Sequence, residues 1–231
     1  MSDARLYRLG CGVALIAGPA LFFVDNLIHP REFERGNEAE QLAEIAGNAD
    51  RWQIAHLIGF VGAVVLIAAA LGLAYLVRRR MPQLGLVAGA ATVVGLMAVA
   101  FAFALDGFTW GVLGEVASRP GTDGPTMQAA LHEVQQSSWT FPYYALIALF
   151  GGGMVALAYG AARSGLIGAR PAALLALGTT LVGIEGAVAS NAYFIVSSAI
   201  FLLGGIDSGI AVLRLPDEDA RTPAAAAGVA G

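Results

Sequence analysis

Lysine is missing from this sequence, and all 13 basic residues are arginine. No side-chain amine is therefore present for a Schiff base, which excludes a retinal-type attachment. The sequence also has no Walker-type glycine loop, no paired Asp-rich prenyl-diphosphate motif and no G-x-S-x-G elbow. Nothing supports a nucleotide-driven pump. Paired histidines deep on two helices, which a haem-bearing membrane cytochrome needs, are absent too. The single cysteine, Cys11, excludes an intrachain disulfide. Charge is scarce: 13% of residues are Asp, Glu, Lys or Arg, against roughly a quarter in a soluble domain. The net charge of −4 argues against nucleic acid as a partner.

What is present is apolar. Hydrophobic residues make up 57% of the 231, and the charges fall in short clusters between long apolar runs. A run of about 20 residues matches a ~30 Å hydrocarbon layer at 1.5 Å per helical residue. Six such runs are readable, at 9–28, 54–77, 84–105, 141–162, 171–190 and 192–213. The expected fold is all-α, a polytopic membrane helix bundle of six transmembrane helices spanning residues 1–215. A disordered cytoplasmic tail is expected over 216–231. The last two runs meet at Ala189-Ser190-Asn191, so a tight hairpin is expected there. The 30 glycines and the many alanines suit close helix packing in lipid. Gly205 with Gly209, and Gly85 with Gly89, make small-x-x-x-small faces expected to be seams. Arg8-Leu9-Gly10-Cys11 superficially looks like a lipoprotein box, but the apolar run follows Cys11. The first run is expected to remain as a helix, since no cleavage site follows it.

Arginine placement orients the bundle. Arg5, Arg8, Arg78, Arg79, Arg80, Arg163, Arg170, Arg214 and Arg221 fall on one side. The positive-inside rule puts that side, and both termini, in the cytoplasm of a cell-membrane protein. Arg31, Arg35, Arg51 and Arg119 fall on the other side, in two longer, more acidic loops. Each loop is expected to hold one short extracytoplasmic helix. Asn37 followed by Glu40 reads as a capping box, and Gly124-Pro125 as a helix start with the stripe Met127, Leu131, Val134. Trp52 and Trp139 precede the descending spans, and Trp110 follows the third. All three read as headgroup-level anchors. Leu73-Ala74-Tyr75 recurs as Leu157-Ala158-Tyr159. Ala88, Thr92, Val94 and Gly95 recur as Ala176, Thr180, Val182 and Gly183. A duplicated hairpin and chance in an Ala/Gly/Leu-rich chain both fit.

Ionisable groups are expensive in hydrocarbon, so they mark where chemistry would sit. Candidates for acid/base work are Glu185, Asp106 and Asp25. Candidates for a zinc or copper site are His29, His56, His132 and Asp25. Asp25 and His29, four apart, share a helix face if the helix extends that far. Glu185, 14 residues into the fifth run, is placed in its outer third. Bland readings stand beside these. Glu185 also reads as a carboxyl hydrogen-bonded between helices. His132 shares a face with Gln128 and Gln136, which reads as solvated surface, and no His-Glu-x-x-His spacing is present. Asp207 falls near the other side and is expected to pair with an arginine there.

The Arg-flanked first span, the acidic loop after it and the stretch Trp52 to Arg78 resemble multi-pass membrane proteins of high-GC actinobacteria. Those proteins are uncharacterised, and the resemblance implies no activity and no site residues. Three functional classes remain open. One is a binding or accessory protein with an outward-facing polar pocket, partnered by the bilayer, a membrane protein or a lipid-like ligand. Another is an intramembrane enzyme on a lipid-like or terpenoid substrate, using acid/base or metal-assisted chemistry. The last is a small transporter.

Overall fold

The computed structural model describes residues 3–31, 37–138, 140–185 and 190–216. Among them there is no strand. The helices are α1 (Asp3–Ile28), α2 (Glu38–Gly47), α3 (Ala49–Arg78), α4 (Pro82–Leu105), α5 (Gly111–Ala117), α6 (Gly124–Gln135), α7 (Thr140–Arg163), α8 (Ala169–Gly183) and α9 (Asn191–Leu213). Five of the helical rods are long and apolar enough to cross a membrane: Arg5–Ile28, Ala49–Arg78, Pro82–Ala117, Pro142–Arg163 and Asn191–Leu213. Their large apolar side chains also point away from the bundle; Leu86 and Val87 are about two-thirds exposed, at 65% and 67%. A helix that is apolar all round needs apolar surroundings on its outer face too.

Six helices close into a ring. Each packs on the next in the order α1, α3, α4, α7, α8, α9, and α9 returns to α1. Neighbours run antiparallel, so α2, α5 and α6 gather at one end, here the loop end. Arg8, Arg78, Arg80, Arg163, Arg170 and Arg214 lie at the other, the arginine end. Arg8 donates to the Leu215 carbonyl and Arg80 to the Ser164 carbonyl, tying the connections there. Small residues set how closely the helices approach. A methyl on Gly209 would lie 2.6 Å from the Gly12 carbonyl oxygen of α1, and one on Gly89 2.5 Å from Ala74 of α3. Both small-x-x-x-small faces are therefore helix seams. Below the cavity, the middle of the ring holds the fully buried side chains of Leu15, Leu66, Leu73, Leu96, Met154 and Leu157.

Several elements differ from expectation. The third apolar run does not stop at Leu105. A π-helical turn, Asp106–Trp110, joins α4 to α5 in one rod of 36 residues. The backbone fits there because Gly107 lies directly against the His56 side chain, where a Cβ would come within 2.6 Å of it. Where a span was expected over 171–190, helix α8 has 15 residues and ends at Gly183. That is ~22 Å of helix, shorter than a hydrocarbon layer. Residues 186–189, Trp139 and the tail from 217 lie outside the described residues. Helix α9 begins where the hairpin was expected, with the Ser190 hydroxyl accepting from Tyr193 N–H. Asn37 caps α2 by accepting from Glu40 N–H at 3.2 Å.

Candidate functional site

At the loop end the ring opens into a cavity of about 520 Å³. Every ring helix contributes to its wall. Apolar groups make the floor: Phe22 of α1, Phe103 of α4, and Ile147 and Phe150 of α7. The Phe22 ring meets the edge of Phe103 at 5.5 Å and of Phe201 at 6.2 Å. Phe150 meets Phe201 from the other side at 6.2 Å. These edge-to-face contacts form a chain of four rings, an aromatic layer above the aliphatic core.

Polar groups make the walls and rim. Asp25, Asn26, His29 and Arg31 come from the last turn of α1 and the residues after it. His56 comes from α3, Asp106 from the π turn, Tyr143 from α7 and Glu185 from the end of α8. Thus Glu185, Asp106, Asp25, His29 and His56, all singled out from the sequence, meet in one cavity. His132 does not join them. It lies on α6 and pairs with Glu38 of α2 at 2.9 Å, on the surface, 56% exposed. That hydrogen bond holds the Glu38 carboxyl below its ordinary range. Asp207 is at the arginine end, 3.7 Å from Arg170.

Asp25 is 1% exposed, and its Oδ1 has no hydrogen-bond partner among the described residues. It also lies in the last turn of α1, where the helix dipole opposes negative charge. A buried polar oxygen without a partner costs roughly 1–3 kcal/mol. Its neighbour Asn26, 5% exposed, bridges two charged groups. It accepts from Arg31 Nη2 at 2.8 Å and donates to Glu185 Oε1 at 3.5 Å. Ser197 of α9 also donates to Glu185 Oε1. Glu185 is therefore hydrogen-bonded between helices and lines the cavity at once. It stands on a turn just past α8, not inside a continuing helix as expected from the sequence. Arg31 lies over the Phe194 ring, 4.1 Å from its centroid, and completes the rim.

Both cavity histidines are held by backbone. His29 Nδ1 contacts the Pro30 carbonyl at 2.9 Å, and His56 Nδ1 contacts the Trp52 carbonyl at 2.8 Å. A carbonyl cannot donate, so each Nδ1 carries the proton and each Nε2 keeps its lone pair. The two rings are 4.7 Å apart by centroid. Burial, then the Arg31 charge, hold the His29 imidazole well below its ordinary pKa. Trp52 is not a headgroup-level anchor. It is 4% exposed, lies against both histidines, and donates from Nε1 to the Asp106 carbonyl at 3.1 Å. Trp110 donates to Asp106 Oδ1 at 3.1 Å. Among the described residues, no three His, Cys, Asp or Glu side chains form a group suited to holding a metal ion.

Sequence reasoning passed over Asn26, Ser197, Tyr143 and the role of Arg31. Asn26 and Ser197 were visible as polar residues inside apolar runs, a signal as informative in lipid as a carboxylate. Arg31 was legible only as one of the arginines that determine orientation. No family model, no curated protein and no solved structure matches the chain. The fold therefore defines a class, an all-helical bundle with several membrane-length apolar helices, and the cavity carries the functional argument.

Proposed function

We propose that this is a cell-membrane binding protein whose cavity faces outward and takes an amphipathic, lipid-like ligand. One observation carries the reading: a single cavity, contributed to by all six ring helices, with an aromatic floor and a polar rim. Binding pockets are typically concave and mostly apolar, with a few convergent polar groups. A ligand's hydrocarbon part fits over Phe22, Phe103 and Phe150, with its polar part among Asp25, His56 and Glu185. The layer of buried aliphatic side chains below favours a blind binding site over a transport path. Orientation follows from the arginines, with the termini cytoplasmic and the cavity on the opposite side.

The test is to purify the protein in mild detergent and extract what remains bound. Wild type should retain a defined amphiphile that Ile147→Trp, which fills the cavity, does not. Equal retention by the two proteins sinks the proposal. For orientation, single cysteines at Ser118 and Gln83, both exposed, suit an impermeant thiol reagent on intact cells, since Cys11 is buried. Labelling at Gln83→Cys with none at Ser118→Cys would reverse the orientation.

The partnerless Asp25 oxygen and the free Nε2 atoms of His29 and His56 favour a second reading. In it the same cavity performs acid/base chemistry on a lipid-like substrate. Turnover of a membrane-lipid extract, lost in His56→Gln with ligand retention intact, would support it. No turnover in wild type removes it.

A further inference from the structure

The cavity's charges are unbalanced, and the imbalance names a ligand class. Three carboxyl groups line it: Asp25, Asp106 and Glu185. Among the described residues that line it, one guanidinium, Arg31, answers them. The two histidines do not add positive charge readily, because each keeps its Nδ1 proton on a backbone carbonyl and lies among aromatic rings. Arg31 is also spoken for. Its Nη2 is on Asn26 Oδ1 and its plane is over Phe194. Glu185 has donors from Asn26 and Ser197, and Asp106 has one from Trp110. Among the described residues the Asp25 Oδ1 has none, and the residue is 1% exposed in the cavity wall.

An anionic headgroup meets three acids here and only a committed arginine. A neutral ligand satisfies hydrogen bonds but leaves the acid excess. A positive group beside Asp25 offsets the acid excess and lies against ring faces, which attract cations more strongly once water is excluded. Extending the binding reading above, on which this rests, we infer that the ligand is a lipophilic organic monocation, its charge beside Asp25 and its apolar body on Phe22, Phe103 and Phe150.

A pair of ions of one shape and opposite sign tests this directly. The full chain is placed in nanodiscs of phosphatidylcholine. Binding of tetraphenylphosphonium and of tetraphenylborate is then measured by equilibrium dialysis against empty discs. Saturable phosphonium binding with none for the borate is expected. Asp25→Asn should weaken it about tenfold or more, the weight of one through-space attraction between a carboxylate and a phosphonium that has no hydrogen to donate. Ile147→Trp, which keeps every charge, should weaken it too, and it serves if Asp25→Asn fails to fold. Preferential borate binding that Ile147→Trp abolishes overturns the cation class and leaves the binding cavity standing. Phosphonium binding indifferent to both substitutions places the ion elsewhere and overturns the inference. So does no saturable binding of either ion; retention of the co-purified amphiphile then decides the binding reading by itself.

Discussion

The ring closes only if α9 meets α1, and one pair of glycine substitutions measures that contact. In Gly209→Ala the new methyl lies 2.6 Å from the Gly12 carbonyl oxygen and 2.6 Å from Ile16 Cγ1. That is roughly 0.8 Å short of ordinary contact. The obstacle is partly backbone, which cannot rotate aside as a side chain does. The two helices must separate, and overpacking of that kind costs about 1–3 kcal/mol. Gly152→Ala makes the same chemical change inside α7, where nothing lies within 4 Å of the new methyl. There only the helix-propensity gain acts, about 0.5–1 kcal/mol. That gain is common to both sites, so the difference between the variants isolates the clash, at about 1–3 kcal/mol. Unfolding in mixed micelles by added dodecyl sulfate, followed by circular dichroism, reads it. Gly209→Ala should unfold at lower denaturant than wild type and Gly152→Ala at equal or higher. If the two shift together, α1 and α9 do not share this seam and the ring is open.

The remaining predictions concern polar contacts. Trp52→Phe should cost about 1 kcal/mol in the same assay, since it leaves the Asp106 carbonyl without its donor; no loss would mean that water or another donor takes over. Arg170→Gln should change stability by less than about 0.5 kcal/mol, because the pair with Asp207 is 3.7 Å long and 83% exposed on the arginine side. A larger loss would show a buried role for Asp207. His29 should make the fold acid-sensitive. Its folded pKa is depressed, so below the ordinary value near 6.5 the unfolded chain binds the proton first. Its contribution to stability is present above that pH and is lost as pH falls below it. His29→Gln should flatten the decline between about pH 6.5 and 5; an unchanged slope would assign the decline to other groups.

Much of the bundle was legible because lipid imposes length and periodicity on the sequence. Apolar runs and arginine clusters place five long helices and their alternation without any knowledge of side-chain contacts. The misplacements came where a short polar sequence admits two structures. Asp106-Gly107 reads as the end of a span, yet Gly107 allows the rod to continue past His56. Trp52 reads as a headgroup anchor because tryptophan prefers that depth. Whether a ring at that depth faces lipid or the bundle depends on the helix opposite, which one strand of sequence does not reveal. The repeated letters show the same limit. Thr92 is buried and Thr180 exposed, while Gly95 lies against the Phe150 backbone and Gly183 touches nothing within 4 Å. Matched residues thus do unmatched jobs. The candidate acids and two of the three histidines were found by cost alone. Their meeting in one cavity depends on ring order, which the sequence does not carry.

That cavity lies at the loop end for a reason the glycines expose. Towards the arginine end, two seams bring small residues together: Gly209 faces the Gly12 carbonyl across α9 and α1, and Gly89 faces Ala74 across α4 and α3. The helices approach closely there. Towards the loop end, glycine notches receive rings instead. Gly59 takes the edge of Phe103, and Gly62 takes Phe22. A ring set in a notch holds two helices together yet projects from the seam, so the aromatic layer roofs the core and floors the space above it. Helix α8 then ends at Gly183, earlier than its neighbours, and its section of wall is completed by Ile184 and Glu185 on a turn. The shortness of α8 and the placement of Glu185 are thus one feature. Ending the helix there puts the Glu185 carboxyl in the cavity wall. A full-length α8 would carry Glu185 on the helix itself and move its carboxyl relative to Asn26 and Ser197. Lengthening α8 should therefore close the cavity and cost the bundle the Asn26–Glu185–Ser197 link together.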